Sequence, residues 1–170
     1  MQSNARAWRG YGAALAACFV IPWTGTLSYA ASTTSTFAVQ ATIAATCTIN
    51  SASTLNFGTL GVLASNTDQT STIQVACTNT TPYNIGLDVG TGSGATVAVR
   101  KLTSGGATVN YSLYSDAGRA TVWGTTIGTD TVAATGSGAA QSYTVYGRIP
   151  AQTTPAPGNY ADTITVTVTY

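Results

Sequence analysis

The stretch F-A-V-Q-A-T-I-A-A-T-C, Phe37 to Cys47, decides how this chain is read. Phe37, Val39, Ala41, Ile43 and Ala45 alternate with Ala38, Gln40, Thr42 and Ala44. Successive side chains of an extended strand point to opposite faces, so strict alternation marks a strand with one face to bury. Such a strand either pairs within its own sheet or leaves to complete the sheet of another molecule. Alternation alone does not separate the two.

On its N-terminal side the sequence reads as an export signal. Arg6 and Arg9 precede a short apolar run, Tyr11 to Ile21, which is too short to span a bilayer. Ser28-Tyr29-Ala30 is a small-x-small cleavage site. A leader is therefore expected over 1–30, with a mature start near Ala31. Leu15-Ala16-Ala17-Cys18 also fits a lipobox, but the apolar run continues through Phe19, Val20 and Ile21, which suits the later site better. Residues 31–36, A-S-T-T-S-T, form a small polar lead-in.

On the C-terminal side, Cys47 and Cys77 are the two cysteines after the leader. An exported pair on the apolar phase of two strands predicts a disulfide. Closing a loop of about 30 residues stabilises by about 3–4 kcal/mol in the chain-entropy picture. Zinc is a poor alternative, with no His and no Cys-x-x-Cys spacing. Alternation recurs at Ile73-Val75-Cys77, Tyr83-Ile85-Leu87-Val89, Val97-Val99, Val109-Tyr111-Leu113, Tyr143-Val145-Gly147-Ile149 and Ile164-Val166-Val168-Tyr170. Gly, Pro, Asn and Asp clusters separate these runs, and no segment after residue 30 has helical periodicity. Residues 128–142 read as a long exposed connection. The pattern predicts one antiparallel β-sandwich domain of about 140 residues.

Composition narrows the function. The 170 residues hold six Lys and Arg, five Asp and Glu, and no His. After the leader, Arg100, Lys101, Arg119 and Arg148 face Asp68, Asp88, Asp116, Asp130 and Asp162. No basic patch points to nucleic acid or an anionic membrane, and little charge repulsion opposes self-association. Without His there is no Ser-His or Cys-His nucleophile. The aspartates are scattered, so no carboxylate pair is indicated; Asp116 and Asp162 read as turn or strand-end residues. No enzyme and no cofactor is expected. The glycines from Gly90 to Gly94 do not make a phosphate loop, because no helix and no Lys-Ser/Thr follow. Trp123, Tyr111, Tyr114, Tyr143 and Tyr146 are candidate sugar platforms. Tyr111 and Tyr143 share phase with aliphatic neighbours and are expected inside, whereas Tyr114, Tyr146 and Trp123 are freer. A monomeric carbohydrate-binding sandwich is thus one alternative.

Several short motifs occur in a fixed order: T-C-T-I (Thr46–Ile49), L-N-F-G (Leu55–Gly58), T-I-Q-V-A-C-T (Thr72–Thr78) and P-Y-N-I-G-L-D-V-G (Pro82–Gly90). R-K-L (Arg100–Leu102), N-Y-S-L-Y-S-D (Asn110–Asp116), W-G (Trp123–Gly124), V-Y-G-R-I-P (Val145–Pro150) and P-G-N-Y-A-D-T-I-T-V-T-V-T-Y (Pro157–Tyr170) follow. Each is weak alone. Together they resemble the spore coat protein U domain, the fold of archaic (Csu-type) chaperone–usher pilins, over residues 37–170.

The resemblance implies an all-β, incomplete immunoglobulin-like antiparallel β-sandwich that lacks its last strand and carries an N-terminal donor strand. The chain then divides into a signal peptide (1–30), an extension with the donor strand (31–46) and the pilin domain (47–170). Phe37, Val39, Ala41 and Ile43 would be the donor side chains. Ile164, Val166, Val168 and Tyr170 would line the acceptor groove and offer an edge to a periplasmic chaperone. Gly158, twelve residues before Tyr170, resembles the Gly-to-aromatic spacing at pilin C-termini. The implied partners are identical or related pilin subunits, the chaperone and an outer-membrane usher. The implied destination is a secreted surface fimbrium serving adhesion and biofilm formation, or else a spore-coat or surface-layer structure of the same fold. Ala41 and Ala45 are small for donor positions, and 128–142 has no assigned counterpart. With no room for an added receptor-binding domain, a shaft or adaptor subunit is expected.

Overall fold

A computed structural model describes Gly25 and residues 28–170. Apart from Gly25 and Ser28–Ala30, the expected signal peptide, with Arg6, Arg9 and the alternative at Cys18, lies outside the described residues. The chain divides into two units, Met1–Gln40 and Ala41–Tyr170. In the first, the described residues are irregular and exposed. The second holds eight strands: β1 (Cys47–Ala52), β2 (Thr67–Cys77), β3 (Pro82–Leu87), β4 (Arg100–Ser104), β5 (Ala107–Tyr114), β6 (Val132–Thr135), β7 (Ala140–Ile149) and β8 (Val166–Thr169). No helix occurs among the described residues, so the all-β expectation holds.

All strand pairs are antiparallel, in a five-stranded sheet of order β1-β2-β7-β5-β4 and a three-stranded sheet of order β6-β3-β8. Alternation built them as expected. Ile73, Val75 and Cys77 of β2, Tyr83, Ile85 and Leu87 of β3, Val109, Tyr111 and Leu113 of β5, and Val145 and Ile149 of β7 meet in one buried core. The turn from Cys77 to Pro82 is short. Thr80 sits there at φ 64°, its amide bonded to the Gly136 carbonyl, so the same end of both sheets is fixed. Gly105, at φ 57°, is the first residue of the two-residue β4–β5 loop, a conformation that glycine takes without Cβ strain.

Several expectations are corrected. Val97–Val99 is a bend rather than a strand, and the strand begins at Arg100. The connection 128–142 contains β6 and the start of β7, because small residues pair as readily as large ones where a partner strand is at hand. Trp123 is not free but 1% exposed. Its Nε1–H donates to the Ile85 carbonyl at 2.8 Å. Its backbone amide donates to Leu113 of the large sheet, while the Leu87 amide of the small sheet donates to Gly124. Residues 121–124 therefore lace the two sheets together along one side.

Arg100 completes that side. It is fully buried. Its guanidinium donates to the carbonyls of Asp88 (2.8 Å), Val97 (2.9 Å), Leu87 (3.1 Å) and Trp123 (2.7 Å). In the sequence Arg100 stands out only as a charge and as the first residue of the R-K-L motif.

Candidate functional site

The opposite side of the sandwich is not laced. β1 ends the five-stranded sheet and β8 ends the three-stranded sheet. The two lie beside each other, yet no backbone pairing joins them. Ile164, Val166 and Val168 point at the core but stay only half-buried, as do Cys47, Leu55 and Phe57 across from them. These core-facing residues therefore stay partly open to solvent along the seam. The free edge of β8 also presents unpaired backbone groups.

Following the seam, the loop after β1 and the loop before β8 spread apart. Leu55, Phe57, Leu63, Leu102, Ile149 and Tyr160 line a cleft of about 690 Å³ there. Gly147 makes this arrangement possible, since a Cβ on it would stand 2.7 Å from Leu55 Cδ1 and 3.1 Å from Phe57 Cζ. Phe57 also meets Tyr111 edge-on. The L-N-F-G motif gave the sequence signal for Leu55 and Phe57, but their role as a wall of the seam has no periodic signature.

Two carboxylates set the path into β8. Ala161 pairs with Thr103 of β4, and five residues later the chain pairs with β3. Asp162 accepts hydrogen bonds from the Thr91 amide (2.7 Å), the Thr91 hydroxyl (2.8 Å), the Thr163 amide (2.8 Å) and the Tyr111 hydroxyl (2.8 Å). Burial, reinforced by that bond to Asp162, pushes the Tyr111 phenol far above its usual range. Asp88 accepts from the amides of Thr165 (2.9 Å) and Gly90 (3.1 Å). Partial burial pushes the Asp88 carboxyl upward. Hydrogen bonds from Thr165 and Gly90 and the nearby Arg100 charge outweigh it and hold the group below the usual aspartate value.

The predicted site residues divide by place. Cys47 and Cys77 form a disulfide where β1 begins and β2 ends. Val166 and Val168 lie on β8, with Ile164 just before it and Tyr170 just after it, 59% exposed. Phe37, Val39 and Ile43 are 86%, 85% and 83% exposed, and residues 28–46 carry no strand. The strand expected from Phe37 thus begins only at Cys47. Phe37 to Ile43 extended spans about 20 Å, the same reach as Ile164 to Tyr170. Among the described residues, no three potential metal ligands come together.

Residues 33–167 match the model of the Spore Coat Protein U domain. The chain is 32% identical to "Protein U" of Myxococcus xanthus over 156 residues, which is 83% of this chain and 87% of that protein. Among solved structures it is similar to a chain of the CsuC-CsuE chaperone–tip adhesion subunit pre-assembly complex from the archaic chaperone-usher Csu pili of Acinetobacter baumannii. The TM-score is 0.56 and the identity 26%, covering 76% of this chain but only 40% of the other.

Proposed function

The chain belongs to the Spore Coat Protein U domain family, and from that premise we propose that it is a structural subunit that polymerises by strand exchange into a surface fibre. The open β1–β8 seam, with its half-buried apolar row, carries the reading. A segment of matching length and alternation stands exposed at 37–43. Inserted beside β8 of a second copy, it would add backbone hydrogen bonds and bury Phe37, Val39, Ala41 and Ile43 against Ile164, Val166, Val168 and Tyr170. The sequence then divides in use as a leader (1–30), a donor extension (31–46) and an acceptor domain (47–170).

The short link fixes the direction of insertion. Only Ala44, Ala45 and Thr46 separate Ile43 from Cys47, a reach of about 13 Å. The chain's own arm leaves at the Cys47 end, where β8 finishes. A donor running parallel to β8 would exit at that same end and bring two Cys47 ends together, which blocks the next addition. A donor antiparallel to β8 exits at the cleft end and leaves each subunit following its neighbour. Phe37 then lies near Tyr170, and Ile43 near Ile164 and the cleft.

Before assembly, a periplasmic chaperone would cover the seam, because an uncapped apolar edge aggregates. An outer-membrane usher would order the exchange at the cell surface, and adhesion and biofilm formation are the uses such a fibre serves. The likeness to "Protein U" over most of both chains favours a second use of the same seam, in a spore coat or surface layer.

Deleting residues 31–46 should leave a domain that folds with a chaperone or an added 37–46 peptide but cannot follow another subunit into a fibre. A truncated chain that is a soluble, fully stable monomer without either would defeat the proposal. In assembled material, cysteines placed at Phe37 and Tyr170 should cross-link between subunits, whereas Phe37 with Tyr160 should not.

A further inference from the structure

The outer face of the five-stranded sheet, away from the seam, carries a group of side chains that strand exchange does not use. Arg148 of β7 meets Asp68 of β2 through two bonds, Nε to Oδ1 at 2.7 Å and Nη2 to Oδ2 at 2.8 Å. Arg119, from the turn after β5, brings Nη1 to 3.3 Å from the same Asp68 carboxylate. Its Nε donates to the Gly147 carbonyl at 3.3 Å, Nη1 donates to Ala117 at 3.2 Å, and the guanidinium lies 5.7 Å from the Tyr146 ring centroid. Tyr146 stands directly opposite Tyr114 across the β5–β7 pair.

Arg119 is held in place. Its backbone sits at φ 56°, in a turn where the Asp116 carboxylate accepts from the Ala120 and Thr121 amides. Asp116 is thus taken up by the turn. Two guanidiniums share the one remaining carboxylate, which leaves net positive charge. The other basic side chains after residue 30 do not add to it: Arg100 is buried, and Lys101 donates to Ser93. Among the described residues, Arg119 Nη2, Arg148 Nη1 and the hydroxyls of Tyr114 and Tyr146 have no hydrogen-bond partner. An ion pair made only for stability does not need a second, pre-ordered arginine set against the Tyr146 ring.

We propose that this face binds an acidic saccharide of the uronate class. The sugar carboxylate meets the free guanidinium donors, the apolar ring face lies on Tyr114 and Tyr146, and the phenols bond ring hydroxyls. Bare phosphate or sulfate would satisfy the arginines and leave the tyrosines without a role. The inference is independent of strand exchange, because these residues face away from the core and the seam.

Oligogalacturonate binding to the immobilised full chain, in whatever assembly state it purifies, tests the proposal, with neutral dextran and dextran sulfate as comparisons. Oligogalacturonate should bind above neutral dextran, and binding should fall at least tenfold in Arg119→Asn, since asparagine tolerates the positive φ while removing the guanidinium. Tyr114→Thr, a strand-compatible change, should weaken oligogalacturonate severalfold and leave dextran sulfate unchanged. Thermal unfolding of both variants checks the fold. Oligogalacturonate no better than neutral dextran overturns the proposal. So does equal binding of both acidic polymers with no effect of Tyr114→Thr, which would reduce the face to a charge patch.

Discussion

At Arg100 the molecule buries a positive charge with no carboxylate in salt-bridge contact among the described residues, and four backbone carbonyls take its place. Burial presses its pKa downward, but arginine starts so high that it stays charged. Arg100→Met would leave those carbonyls without donors, and denaturant unfolding should show a loss of about 3–5 kcal/mol. Lysine cannot span all four acceptors, so Arg100→Lys should not restore the loss. Asp88 gives a pH dependence with a definite sign. Its folded value is depressed, so its contribution is present above the ordinary aspartate value and disappears as pH falls through the folded one. Urea midpoints should therefore fall from about pH 4 downward. Asp88→Asn should flatten part of that fall; an unchanged profile would remove Asp88 from the account.

Among the elements, β1 is an edge strand of six residues that pairs only with β2 and is interrupted by an irregularity between Ile49 and Ser51. The Cys47–Cys77 disulfide compensates. Cys47→Ser with Cys77→Ser should cost about 3–4 kcal/mol and should speed hydrogen exchange in β1 more than in β7. At the far end, Gly147→Ala should push Leu55 and Phe57 off the sheet, a crowding cost of about 1–3 kcal/mol that widens the cleft.

The elements also show what could be read from residues alone. β2, β3, β5 and β7 followed from alternation because each buries one face. β6 escaped, because Val132-Ala-Ala-Thr135 lacks large residues and exists through its pairing with β3. Trp123 was misplaced because loop residues have no period to say which way they point. The seam was legible only in part. Val166 and Val168 announced a half-buried strand, but that β8 lacks a second neighbour is a property of the sheet order.

For the whole molecule, the proposed reading makes Ile43 a residue that matters only between copies. It is 83% exposed in its own chain. Ile43→Asp should leave the subunit's unfolding midpoint unchanged and abolish polymer on electron micrographs. A large drop in stability instead would mean that the segment closes its own sandwich.

The position of the disulfide has a mechanical side. Cys47 is the first residue of β1, and only Ala44, Ala45 and Thr46 lie between it and the donor segment. In a fibre, any tension carried by the arm enters the domain at that residue. Without the cross-link the pull would fall on the few hydrogen bonds that hold this six-residue edge strand to β2. The sulfur bridge passes the pull directly to β2, whose ten-residue pairing with β7 resists as a unit. Reducing agents should then lower the force at which single subunits unravel in an optical trap, well before they change how much fibre is made.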